Sequence, residues 1–258
     1  MTKKLNINQD RYCGETIDID CVLDNCTEAA IQFGWIVEKI PVPNEKELIV
    51  FKKQFQDPLK RVYISAGIHG DEPAGPLAIL ELLNKNTWPK NIEFHIFPCL
   101  NVSGFKNNTR ENEDCVDLNR DYYHCKTPLI CTHVEWLDLS PNYDLTLCLH
   151  EDWGAKGFYL YEALHQKHQS TAHHILESVR SIFPIDDSSE IDGYPAVNGI
   201  IGVPTDLHTL KHWPEALYLF EKKKAVNYTL ETSSDFPLEY RVKAMCAAVE
   251  AAILCLEL

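Results

Sequence analysis

Short apolar runs alternating with longer helical patterns organise this chain. Residues 62–66 (Val-Tyr-Ile-Ser-Ala) form a compact β-rich run closed by Gly67, fit for a buried strand. From Pro73 the spacing of Leu77, Ile79, Leu80, Leu82 and Leu83 predicts a helix. Residues 92–100 alternate like a strand that Pro98 ends early. Residues 144–149 read as a second buried strand that delivers His150, Glu151 and Asp152. A short strand over 158–161 follows, and a late one over 225–230 ends at Glu231. Residues 48–55 are strand-like up to Asp57-Pro58, and helices are predicted over 27–33, 129–139, 164–182 and 238–256. Residues 185–213 are loop-rich. The alternation predicts an α/β fold: a mixed, mostly parallel central sheet with helices on both faces. Neither a repeat nor a linker divides the chain, so residues 1–258 are expected to be a single domain.

Chemistry enters at the strand ends. His69-Gly-Asp-Glu72 lies in a Gly-rich turn between a strand and a helix. Imidazole and carboxylate are both zinc donors, and a catalytic zinc takes three protein ligands plus water. Alone, His-x-x-Glu is a weak signal that a capping turn would also produce. His150 and Glu231 change that, because sites in α/β sheets gather at the carboxyl edge of the strands. Two histidines and one carboxylate leave the fourth metal position open, and Glu231 is then free to be the general base. Residues 101–123 form a polar stretch longer than an ordinary connection, which favours a functional loop. It carries Arg110 and Arg120, and arginine grips carboxylates through two parallel hydrogen bonds. The bland alternatives are that Arg120 pairs with Asp117 or Asp121 on the surface, and that Glu231 caps the last helix near Thr232, Ser233 and Ser234.

His69-Gly-Asp-Glu72, Asp117-Leu-Asn-Arg120, the strand ending at His150 and the one ending at Glu231 together resemble the zinc carboxypeptidase superfamily. That group includes carboxypeptidase A, murein-peptide amidases and the succinylglutamate desuccinylase/aspartoacylase branch. The resemblance covers roughly residues 60–235. It implies Zn2+ held by His69, Glu72 and His150, with Asn119 and Arg120 on a substrate carboxylate. It further implies Arg110 at the oxyanion, and Glu231 activating water and passing its proton to the leaving amine. Such carboxypeptidases carry a mobile-loop tyrosine, for which Tyr194, Tyr218 or the position of His208 are the candidates here. Glu215 falls near the family's pocket floor, where a carboxylate would favour an amine or a basic side chain. The implied activity is a metallo-carboxypeptidase or peptide amidase acting on a short peptide, such as a recycled cell-wall peptide. The alternative is an N-acyl amino acid deacylase, and a non-catalytic peptide-binding pseudoenzyme is the reading from another class. The aspartoacylase branch resembles the same core with an added C-terminal β domain, whereas a helix-sized tail follows Glu231, which favours the peptidase side.

The formal charge of −14 argues against nucleic acid or an anionic membrane as partner, since both call for a basic surface. Met1-Thr2-Lys3-Lys4 leads into a polar segment and no apolar run reaches membrane-spanning length, so a cytoplasmic location is expected. The 10 cysteines form no C-x-x-C pair, which fits reduced thiols. Cys125 and Cys131, near His124 and His133, could be metal ligands or simply loop residues. Glu151 and Asp152 beside His150 raise a second metal, although contact with the ligands or the substrate is the preferred role.

Overall fold

A computed structural model describes residues 2–8, 11–165, 168–203 and 212–256. Its centre is an 8-stranded sheet. In chain order the strands are β1 (Ile36–Ile40), β2 (Leu48–Lys53), β3 (Lys60–Ala66), β4 (Ile92–Phe97), β5 (Leu145–Asp152), β6 (Tyr159–Ala163), β7 (Glu190–Ile191), β8 (Tyr194–Pro195), β9 (Ile200–Gly202) and β10 (Val226–Ser233). The spatial order is β1-β2-β4-β3-β5-β10-β6-β9, with β7 and β8 forming a separate hairpin. The middle of the sheet (β4, β3, β5, β10) is parallel, while β1, β2 and β6 join antiparallel. This is the mixed α/β sheet expected from the alternation of elements.

Helices cover both faces. α1 (Ile19–Gln32), α2 (Ala74–Lys85), α5 (Ala172–Arg180) and α7 (Leu238–Leu254) close one core over Val62, Ile64, Leu147, Leu149, Tyr228 and Leu230. α4 (Pro128–Leu139) and α6 (Glu215–Lys223) close the other, over Tyr63, Phe97 and Cys148. The central strands are buried on both faces, which is why they read as continuous apolar runs.

Several elements depart from the sequence expectation for local reasons. α1 begins well before residue 27 because Asp18 caps it, its carboxylate accepting the Cys21 amide at 3.1 Å. The polar stretch 101–123 is not all loop: α3 (Val102–Asn107) is capped by Asn101, whose Oδ1 accepts the Gly104 amide at 2.9 Å. The helix expected from residue 164 starts only at Ala172, where the Tyr228 hydroxyl accepts the Thr171 amide at 2.9 Å. Residues 185–203 gain the β7–β8 hairpin, whose Asp192 (φ 49°) and Gly193 (φ 75°) supply the left-handed pair that a tight primed turn needs.

Candidate active site

The C-terminal ends of β3, β5 and β10 meet on the face covered by α4 and α6. The turn after β3 is held by the segment that follows β4: the Asn101 amide donates to Gly67 O at 2.8 Å, and Asn101 Nδ2 donates to Ile68 O at 3.1 Å. Gly70 is required here, since a Cβ would sit 2.0 Å from the Gly104 carbonyl carbon. Backbone-to-backbone packing thus aims His69 and Glu72 inward.

His69 Nδ1 lies 2.6 Å from Glu72 Oε1, and His150 Nδ1 lies 2.9 Å from Glu72 Oε2. The donor atoms of all three residues fall within 4.8 Å of one another, the only such group among the described residues. All three side chains are buried. Full burial favours a neutral acid, but the two flanking imidazoles hold the Glu72 carboxyl well below the usual range. Burial pushes both imidazoles down too. Glu72 and Asp117 overcome this at His69, which ends above its usual value, while His150 ends below. Two imidazoles and a carboxylate suit a zinc ion with one position left open.

Asp117 organises the rest. Its Oδ1 is 3.4 Å from His69 Nε2, a contact longer than an ordinary hydrogen bond, and its Oδ2 accepts from Arg110 Nε at 3.0 Å. Burial works against its ionised form, yet His69, Arg110 and Arg120 keep its pKa well below the usual range. A carboxylate behind a ligating imidazole fixes the ring's orientation and raises its donor strength. In the sequence Asp117 heads the Asp117-Leu-Asn-Arg120 tetrad of the resemblance and offers Arg120 a surface partner, but no role at the metal site is expected of it there. Arg110 leans over the cluster, with Nη1 3.3 Å from His69 Nδ1 and 3.8 Å from Glu72 Oε1.

Glu231 is paired in register with His150 on one side and Tyr159 on the other. Burial, then the charges of Glu72 and Asp152, push its carboxyl well above the ordinary range, and Arg110 opposes them. Asn119 is buried, its Oδ1 accepting the Glu215 amide at 2.9 Å, which leaves the Nδ2 hydrogens for another partner. Arg120 is exposed, with Nη1 donating to Asn119 O at 2.9 Å.

Glu215 lies in the layer covered by α4 and α6, at the start of α6. It is 1 % exposed, and its carboxylate accepts from Tyr63 Oη at 2.5 Å and Ser65 Oγ at 2.8 Å. Burial raises its pKa to about 7. Tyr63 is also 3.0 Å from His133 Nε2, and His133 Nδ1 is 2.8 Å from Tyr122 Oη. Glu215 thus belongs to a hydrogen-bonded string inside the second core. His133, expected near the cysteines as a possible metal ligand, is spent in the same string, and burial lowers its pKa to about 3. Cys125 and Cys131 are free thiols. Tyr218 is a core residue whose hydroxyl donates to Asp138, so it is not a mobile-loop group. Tyr194 stands exposed on β8, and His208 lies outside the described residues.

The succinylglutamate desuccinylase/aspartoacylase catalytic domain matches residues 58–183, a span that holds every predicted site residue except Glu215 and Glu231. A solved protein of Shewanella amazonensis described as a metallopeptidase superposes with a TM-score of 0.79 at 22 % identity, covering 92 % of this chain and 93 % of that one. A metallo-carboxypeptidase of Pseudomonas aeruginosa, solved with (2-guanidinoethylmercapto)succinic acid, gives a TM-score of 0.66 at 14 % identity over 91 % and 68 % of the two chains. At those identities the likeness is one of fold. Carboxypeptidase SOL1 of Arabidopsis thaliana is 38 % identical over 66 residues, a match spanning 21 % of this chain and only 13 % of that protein.

Proposed function

We propose that this chain, which shares its fold with solved metallo-carboxypeptidases and matches the succinylglutamate desuccinylase/aspartoacylase catalytic domain over residues 58–183, is a zinc-dependent metallo-carboxypeptidase or peptide amidase, cutting a terminal amide bond of a short peptide. The observation that carries this reading is the convergence of His69, Glu72 and His150 within 4.8 Å, with Glu231 in register beside His150. The three residues fit a zinc ion, which when bound supplies an acidified water and a Lewis acid for the scissile carbonyl.

The chain's own residues divide the remaining work. Glu231 takes the proton from the attacking water and returns it to the leaving nitrogen, a role suited to a carboxyl pushed upward by burial. Arg110, anchored through Nε on Asp117, keeps its Nη edge toward the cluster for the developing oxyanion. Asn119 Nδ2 and Arg120 bind the substrate's carboxylate. The carboxylate-bearing compound bound by the Pseudomonas relative supports a small acidic ligand in this fold. No basic-side-chain preference is assigned to Glu215, whose oxygens are both engaged in the core.

A second reading, release of an acyl group from an N-acyl amino acid, is favoured by the family match over residues 58–183. It uses the same residues. Mass spectrometry of the zinc-loaded protein against a mixed pool separates the two. Loss of a terminal residue only from free-carboxylate peptides, not from their C-terminal amides, is the expected result. Acyl release from N-acyl amino acids would move the chain to the deacylase side, and no hydrolysis of any pool member would contradict both.

A further inference from the structure

Side chains alternate along β5, so while His150 faces the site, Glu151 points into the opposite layer. There Glu151 is fully buried, with Oε1 accepting the Ala74 amide at 2.6 Å and Oε2 accepting from Arg241 Nη1 of α7. α2 has Pro73 at its N-cap position and no side-chain cap of its own. Glu151 therefore supplies that helix with an anionic cap from a different strand, at the end where the backbone dipole favours negative charge. The capped amide is two residues beyond Glu72. One carboxylate thus ties the helix that follows Glu72 to the strand end that carries His150.

Arg241 is just as fully committed. It is 0 % exposed, and Nε donates to Phe236 O at 2.8 Å while Nη2 donates to Tyr12 Oη at 3.1 Å and Glu15 Oε2 at 2.9 Å. Phe236 lies in the connection that leaves β10 after Glu231. The guanidinium consequently joins the N-terminal segment, the exit from β10 and the carboxylate behind His150. Burying such a pair seldom gains stability over apolar residues of the same size. Its value is in fixing positions.

We propose that Glu151 and Arg241 are positioning residues for the metal centre, setting the spacing between Glu72 and His150 from the opposite side of the sheet. This rests on the reading of His69, Glu72 and His150 as zinc ligands. Removing one partner alone would leave a bare buried charge and endanger folding. The test is therefore the double exchange Glu151→Gln with Arg241→Met, beside the milder Arg241→Lys, whose single ammonium cannot hold Glu151, Phe236 and Tyr12 together. Zinc affinity is read by chelator competition, and thermal unfolding is followed with and without chelator. Zinc binding should weaken about 10- to 100-fold in the double exchange, and by about threefold in Arg241→Lys, as for other residues that orient ligands. Affinity equal to that of the parent in both, even with a lowered metal-free melting point, would make the pair merely structural and overturn the proposal. If the double exchange does not fold, unchanged affinity in Arg241→Lys alone has the same force. A parent chain that binds no zinc would instead refute the ligand reading beneath it.

Discussion

Glu231 and Glu215 are both buried carboxyls raised by desolvation, but their surroundings give them different roles. Glu231 faces Arg110 and the histidine cluster, so Glu231→Gln should cut kcat by about 10²- to 10⁴-fold while zinc stays bound. Retained activity, measured on whichever substrate the peptide pool reveals, would remove it as the base. Glu215 is surrounded by hydroxyls in the core, and its pH signature is one of stability. Its folded pKa of about 7 exceeds the ordinary 4.5, so its contribution is complete below pH 4.5 and is lost as pH rises toward 7. That loss is about 3 kcal/mol at 1.36 kcal/mol per unit. His133, held down to about 3 by burial, has the opposite sign: its contribution is complete above about 6.5 and is lost as pH falls toward 3. Between pH 4.5 and 6.5 the two slopes oppose. Urea unfolding of Glu215→Gln should therefore show stability rising with pH relative to the parent's in that window, and a curve parallel to the parent's would contradict the assignment. Sequence reading located Glu231 because a strand delivers it. It could not show that the Glu215 carboxylate is hydrogen-bonded to Tyr63 and Ser65, because those partners lie on β3, far away in sequence. Asp117 and Arg241 were missed as well. Arg241 sits at the spacing of the apolar face of α7, among Val242, Ala244, Met245 and Ala248, and a lone charge in such a stripe is the cue that was available.

The strands that carry the site, β3, β5 and β10, were legible because burial on both faces makes their sequences continuously apolar. β1 and α6 were not assigned. β1 is a half-exposed edge strand with a mixed pattern, and α6 follows Pro214 without a side-chain cap. Caps and hydroxyl contacts that set the starts of α1, α3 and α5 come partly from distant residues such as Tyr228, which local pattern cannot reveal. The turn between β3 and α2 makes its own prediction. Because a Cβ at Gly70 would collide with the Gly104 and Phe105 backbone, Gly70→Ala should cost about 3 kcal/mol or more and weaken zinc binding together. Denaturant titration checks the first effect and chelator competition the second. A fully stable Gly70→Ala would mean that α3 is free to move away.

Across the whole molecule the sheet gathers ligands that are far apart in sequence, bringing residues 69–72 and 150 together through neighbouring parallel strands. A metal at that junction links β3, the start of α2 and β5, so it should stabilise the entire fold. Zinc at about 100 times its Kd would add about 2.7 kcal/mol, and a chelator would remove it. A melting temperature indifferent to zinc would argue that the three side chains do not bind it. The net charge of −14 left the fold open, and no helix among the described residues is long and apolar enough to cross a membrane. The superfamily was legible because four motifs keep one order along the chain. The bond that is cut was not, because both candidate reactions use the same His69, Glu72, His150, Arg110 and Glu231.

Native mass spectrometry of the zinc-reconstituted protein, compared with His69→Ala and His150→Ala, tests the centre of this reading most directly. One zinc per parent chain and none in either variant is the expected result. Zinc retained by both variants, or absent from the parent, would contradict a metal centre built from His69, Glu72 and His150.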